Sequence, residues 1–207
     1  MEFAAVREDM VDSLEHDTKA VVEAEPVGEA MRQVPRHEFV DADHRAYMDQ
    51  AHTHLGSTVL APSVAGRLVQ ALDPDPSDSV LVVGSGVGYT VAVLAEIVGA
   101  KRVHAVDIDR HLVLDARRNL RTAGYEAVLV DCRDGADGFP EYAPFDRILA
   151  SAAAPKVPDM LTRQLKKGGV LVMPVDEKIV HLKKKADGTY DRKEKEGFRF
   201  VPMQGIK

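Results

Sequence analysis

Residues 80–96 read VLVVGSGVGYTVAVLAE. Four apolar residues, Val80–Val83, run into Gly84. Two more glycines follow at 86 and 88, and an apolar segment of helical length begins at Tyr89. A short β-branched run bounded by glycine predicts a buried strand. The glycines predict a turn whose backbone lies open to a ligand. The helix behind it offers free N–H groups and the positive end of its dipole, which suit a carboxylate or a phosphate.

The same alternation continues downstream. RVHAVD precedes RHLVLDARRNLRTAG, and EAVLVD leads into CRDGADGFPEYAP and then FDRILASA. PDMLTRQL is followed by GVLVMPV. Strand–helix alternation with strands apolar nearly throughout predicts an α/β fold, a doubly wound and mostly parallel sheet with helices on both faces. Upstream, Phe3, Val6, Met10, Val11 and Leu14 recur at helical spacing, and EPVGEAMRQV and PSVAGRLVQAL give two further helices. Residues 37–61 have no clean period and are long for a structureless loop, a length that points to function. After residue 176, Asp187-Gly188 separates two extended runs, a hairpin signal. This tail carries seven basic and six acidic side chains over 176–196, so its lysines read as a solvated charged edge.

Composition narrows the class. The chain has 207 residues, with 27 Lys and Arg against 33 Asp and Glu, a net charge of −6. That balance argues against nucleic acid as a partner. The apolar runs are too short to span a membrane, and the acidic start MEFAAVREDMVDSLEHD does not read as a signal peptide. The lone Cys132 excludes an intrachain disulfide. A cytoplasmic monomer without membrane or nucleic-acid partners is expected.

The turn's spacing separates ligands. A dinucleotide fingerprint is G-x-G-x-x-G, whereas here the third glycine falls at 88 and Tyr89 takes the fingerprint position. No P-loop Lys follows. Asp107, 19 residues after Gly88 at the tip of the next strand, suits two ribose hydroxyls, a feature shared by NAD and S-adenosylmethionine sites. Asp134-Gly135 after the third strand offers an acceptor for an adenine amino group, or simply a turn cap. G-x-G-x-G, Asp107 and Asp134 together form the combination used by S-adenosylmethionine methyltransferases.

At this point the sequence resembles the protein-L-isoaspartate O-methyltransferases. REDMVDSL, VGEAMRQVPRHEFVD, AYMD, GSTVLAP, GSGVGYTVAVLAEIVG, RDGADGFPEYAPFDRILASAAAPKVP, LTRQLKKGGVLVMPV and FRFVPM look like that family's segments in the family's order, over nearly the whole chain. The resemblance implies one class I methyltransferase (Rossmann-like) domain over 1–207. Residues 1–78 would form a helical and substrate-loop region, 79–175 the cofactor-binding core and 176–207 a C-terminal hairpin. It implies S-adenosylmethionine as cofactor, bound by Gly84, Ser85, Gly86, Val87, Gly88, Tyr89, Asp107, Ile108, Asp134, Gly135 and Ser151. Tyr89 either packs on the cofactor or starts the helix. The implied acceptor is the free α-carboxylate of an L-isoaspartyl residue in a damaged protein or peptide. The ester formed there collapses to a succinimide that partly reopens as aspartate.

Three positions depart from the family pattern. Leu60 stands where the family's T-[I/V]-S loop has its Ser, Ser63 where a His or aromatic residue often follows Pro62, and Val82 where a Glu usually precedes the glycines. Thr58, two residues before Leu60, faces the same side of an extended loop and is the candidate catalytic hydroxyl. Thr58, Leu60 and Ser63 are the expected substrate contacts. If the family geometry holds, Leu60→Ser should raise activity. The departures leave open a different carboxylate or small acceptor, or a non-catalytic paralogue that binds S-adenosylmethionine or isoaspartyl peptides. His44, His52 and His54, with Asp41, Asp43 and Asp49 near them, lack zinc-site spacing, so no metal is expected. Cys132 is expected to be a packed thiol.

Overall fold

A computed structural model describes residues 3–16, 21–40, 43–196, 200 and 202–203. Helices α1 (Phe3–His16) and α2 (Glu25–Gln33) come first, followed by two 3-10 turns at Arg36–Glu38 and Asp43–Tyr47. The stretch without a clean period then forms a small antiparallel hairpin, β1 (His52–His54) and β2 (Ser57–Val59), with Thr53 opposite Thr58. Its polar strands carry no alternating apolar signal, so periodicity predicts no strand there. Leu55 and Gly56 close it, both at positive φ.

Then come α3 (Pro62–Leu72), β3 (Val80–Val83), α4 (Tyr89–Val98), β4 (Val103–Asp107), α5 (Arg110–Thr122), β5 (Leu129–Cys132), β6 (Phe145–Ala150), α6 (Asp159–Arg163), β7 (Leu165–Val175), β8 (Lys178–Lys184) and β9 (Tyr190–Glu196). The main sheet has order β5-β4-β3-β6-β7-β8-β9. Its first five strands are parallel, and β8 and β9 are antiparallel additions. The expected tail hairpin therefore continues the central sheet. It turns at the predicted place, where Asp187 accepts from the Thr189 N–H at 2.9 Å. All seven residues of β9 are exposed and six of them carry charge of one sign or the other, a composition that discourages an open sheet edge from pairing with other chains.

The two sheet faces are covered differently. Val80, Val82, Ala105, Val130 and Leu149 face a large cluster with α1 to α5. Leu81, Val83, Val106, Ile148 and Leu171 face a smaller cluster with Leu161 of α6, Phe139 and Phe145. Helices on both faces were expected and are present, but the second face carries the short α6, while CRDGADGFPEYAP gives 3-10 turns at Gly135–Asp137 and Pro140–Tyr142. Gly138 sits at φ +64, and a prolyl residue has no N–H with which to extend a helix. Phe139 seals this thinner side instead. Its N–H donates to Gln164 Oε1 at 2.8 Å, and Gln164 Nε2 donates to the Asp137 carbonyl at 2.8 Å.

Strand order reverses at β3, which continues to β4 on one side while β6 lies on the other. Open α/β sheets bind ligands at such a switch point, beyond the carboxyl ends of the strands.

Candidate active site

A cavity opens at that point. Its floor is Val83, Gly84 and Gly86 of the turn, with Ser151 and Ala152 beyond β6 and Gly135 beyond β5. Asp107, Ile108 and Asp109 lead from β4 into α5, which adds Leu112. The β1–β2 hairpin supplies Leu55, Gly56, Ser57 and Thr58, and Pro202 and Met203 close the rim.

The glycines shape this floor by what they lack. Gly84 has φ +85, and a Cβ on it would collide with Ser151 Oγ, whose hydroxyl donates to the Gly84 carbonyl at 2.8 Å. Gly86 has φ +51, and a Cβ there would meet no protein atom within 4 Å. The backbone at 86 is thus bare toward the cavity, a cradle into which a ligand can press.

Asp107 fixes the turn to the neighbouring strand. Its Oδ2 accepts from the Gly86 N–H at 2.9 Å and its Oδ1 from the Asp109 N–H at 3.1 Å. An ionised carboxylate has about four lone-pair sites, so it retains capacity for two ligand hydroxyls. Burial pushes the Asp107 pKa above the ordinary carboxylate value, and the two backbone N–H groups oppose that rise. The folded chain therefore binds this proton better than the unfolded chain does. Stability from this group falls as pH rises through the raised pKa, so an ionised Asp107 at neutral pH is a cost the fold carries. Such costs concentrate at functional sites.

Not every residue expected at the cofactor lines this cavity. Ser85 and Val87 point inward, Val87 being 3% exposed with its carbonyl accepting from Asn119 Nδ2 at 3.0 Å. Gly88 faces Leu120 and Phe39. Tyr89 starts α4 and is buried, with its ring under the Arg36 guanidinium, 4.4 Å from centroid to Cζ. Burial lifts its phenol to about 12. Of its two expected roles, the structure places Tyr89 in the helix start. Asp134 caps a turn, accepting from the Ala136 N–H at 2.9 Å, while its neighbour Gly135 lines the cavity.

Thr58 is exposed on the cavity wall. Leu60 is half-buried and packs on the main cluster, and its carbonyl accepts from Arg36 Nη2 at 2.7 Å. The two do not share a side, because β2 ends at Val59 and the chain turns into α3. Ser63 lies in the first turn of α3, where its N–H donates to Asp49 Oδ1 at 2.9 Å. Val82 is sealed in the core.

The histidines go separate ways. His54 Nε2 meets Asp115 Oδ2 at 2.7 Å. His52 packs inward, with its pKa pushed down first by burial and then by Arg36. Asp41 lies outside the described residues. Cys132, expected to be packed, is exposed at the end of edge strand β5. Asp12, Glu15 and His16 approach one another, but Arg32 already takes Asp12 at 2.6 Å and Glu15 at 2.9 Å.

The family model for protein-L-isoaspartate(D-aspartate) O-methyltransferase matches residues 5–207. The chain belongs to this family. It is 41% identical to a protein-L-isoaspartate O-methyltransferase of Methanopyrus kandleri over 98% of this chain and 93% of that one. A solved protein-L-isoaspartate O-methyltransferase superposes with TM-score 0.86 at 29% identity, over 96% of this chain and 66% of the other, longer chain. A putative protein-L-isoaspartate O-methyltransferase from Plasmodium falciparum, solved with S-adenosyl-L-homocysteine, shares the fold with TM-score 0.85 at 19% identity, covering 97% of this chain and 99% of that one.

In this isoaspartyl methyltransferase family member, the cavity also has walls that no sequence motif announces. Leu55 and Gly56 reach the cavity from the unforeseen hairpin. Pro202 and Met203 arrive from the far end of the chain, where Ala153 pairs with Pro202 and the Met203 N–H donates to the Ala153 carbonyl at 2.6 Å. The motif FRFVPM was visible, but which wall it would join was not. Its Phe198, Arg199 and Val201 lie outside the described residues.

Proposed function

We propose that this member of the family methylates the free α-carboxylate of L-isoaspartyl residues in damaged proteins or peptides, with S-adenosylmethionine as donor. The observation that carries the proposal is the meeting, in one cavity, of the bare Gly86 backbone, the Asp107 carboxylate and the Thr58 hydroxyl. S-adenosylmethionine supplies a methyl group on a positively charged sulfur.

The chain's own work is positioning. Gly84 and Gly86 let ligand atoms lie against the turn. Asp107 accepts from the ribose hydroxyls while Gly86 and Asp109 keep its oxygens in place. Ile108, 42% exposed beside the cavity, offers an apolar face to a base, and Gly135 lines the same wall. The acceptor carboxylate has a pKa near ~4 and is ionised at neutral pH, so no general base is needed. What remains is to hold the carboxylate oxygen in line and keep water out, a task of orientation. Thr58 donates its hydroxyl to that carboxylate, the role for which Leu60 has no side-chain donor. The reading includes a monomer and a cytoplasmic location, and the lone free Cys132 supports the second.

The test incubates the protein with radiolabelled S-adenosylmethionine and two peptides that differ only in Asp or isoAsp. Base-labile label on the isoAsp peptide alone is expected. Label on neither peptide, despite calorimetric cofactor binding, would replace turnover with a binding role. The hydroxyl has its own test. Thr58→Val is expected to lower kcat by about 5- to 150-fold, the loss of one positioning bond of ~1–3 kcal/mol. Thr58→Ser, which keeps the donor, should stay within a few-fold of wild type. Equal losses in both variants would remove the hydroxyl from the mechanism.

A further inference from the structure

The hairpin that carries Thr58 is small. Its strands have three residues each, and an isolated two-stranded hairpin is marginally stable in water. Its place over the cavity is therefore set by its attachments to the body. At one end, Val59 is buried in the main cluster. Near the tip, His54, the last residue of β1, meets Asp115 of α5, 61 positions away in sequence. The side chains are 28% and 17% exposed. Arg118 Nη2 holds the other Asp115 oxygen at 2.9 Å, so the carboxylate is itself fixed.

This bond joins two walls of one cavity. On the hairpin side stand Leu55, Gly56, Ser57 and Thr58. On the helix side stand Asp109 and Leu112, and Asp115 lies one turn beyond Leu112. Leu55, the residue after His54, has φ +49, an uncommon conformation for leucine. The tip thus needs support from outside itself.

We propose that the His54–Asp115 bond is a positioning latch, which holds the Thr58-bearing hairpin at a fixed distance from the cofactor end of α5. The proposal rests on the functional reading above. Neither residue touches reacting atoms. Their effect passes through the hairpin, where a displacement on the order of 1 Å costs rate steeply. Loss of the latch leaves the hairpin anchored at Val59 and lets its tip swing.

The test is a double-mutant cycle with His54→Ala, Asp115→Ala and both together, read in two ways. In the ligand-free protein, amide hydrogen exchange over 55–58 should quicken about tenfold in each single variant, with no further gain in the double. The midpoint of thermal unfolding should move by no more than about 2 °C, because the pair is a partly exposed one. With cofactor and isoAsp peptide, kcat should fall about tenfold in each single and in the double, while the KM for peptide changes less than threefold. His54→Gln, which keeps an N–H at nearly the same reach, should recover most of kcat. Additive losses, unchanged exchange over 55–58, or no recovery with Gln would overturn the latch. A wild-type chain that transfers no methyl group to the isoAsp peptide would instead overturn the functional reading, and the exchange cycle would still decide the latch.

Discussion

Asp107→Ala is expected to weaken binding of S-adenosyl-L-homocysteine by about two orders of magnitude, measured by calorimetry at pH 7.5. Hydrogen bonds to a charged acceptor are worth about 1.5–3 kcal/mol each, and two ribose hydroxyls are assigned to this carboxylate. The alanine also frees the Gly86 and Asp109 N–H groups, which Asp107 now holds at 2.9 and 3.1 Å. The bare turn would lose its tie to β4 as well as its ligand contact. Asp107→Asn should fare little better, since both carboxylate oxygens accept from backbone N–H groups and one end of an amide is a donor. Affinity in the wild type should also decline on the acid side sooner than for an ordinary aspartate, because burial raises the Asp107 pKa and the neutral acid is a poorer acceptor. A change below threefold in Asp107→Ala, with the fold intact, would remove the residue from the cofactor site.

The turn and Asp107 were legible because their information is local. Val80–Val83 and the glycines at 84, 86 and 88 specify a strand and a turn within nine residues, and the tip of the next parallel strand falls beside them whatever the rest of the chain does. The right side chains near the turn were harder to sort. Val87, Gly88 and Tyr89 share the motif with Gly84 and Gly86, but Val87 and Gly88 end the turn against α5 and Phe39, and Tyr89 starts the helix, so none of them lines the cavity. The acceptor side was least legible. Thr58 and Leu60 alternate as strand residues would only up to Val59, where β2 stops. His54 reads as one more polar loop residue until Asp115, far along the chain, is brought to it. Arg36 was hidden most completely, since in PRHEF it reads as surface charge and its partners are carbonyls 10 and 24 residues away.

Arg36 leads to the second large effect. Its side chain is fully buried, and among the described residues no carboxylate lies within ion-pair distance of it. Nε donates to the Ala46 carbonyl at 2.8 Å and Nη2 to the Leu60 carbonyl at 2.7 Å, while the guanidinium plane lies over Tyr89. One side chain thus ties the 43–47 turn and the acceptor loop to the first residue of α4. Burial pulls its pKa down, a sign that the charge is held at a cost. Arg36→Met removes that cost and keeps much of the volume, so the outcome depends on which term is larger. Two carbonyls would lose their donor, at about 1–3 kcal/mol each, and the stacking on Tyr89 would go too. The losses are expected to win by about 3 kcal/mol, lowering the thermal midpoint by roughly 6–12 °C. Arg36→Lys should fall between, because a compact ammonium lacks the planar fork and does not stack flat on a ring. Activity should separate the two roles. With Leu60 released, Thr58 two residues upstream shifts, and kcat of Arg36→Lys measured well below its melting range should drop further than its stability alone explains. Tyr89→Phe provides the control. Its Oη is buried without a well-formed hydrogen bond, so the phenylalanine should keep the stack and leave the midpoint within about 3 °C. If Arg36→Met melted within about 2 °C of wild type, the guanidinium would not be what supports the acceptor loop.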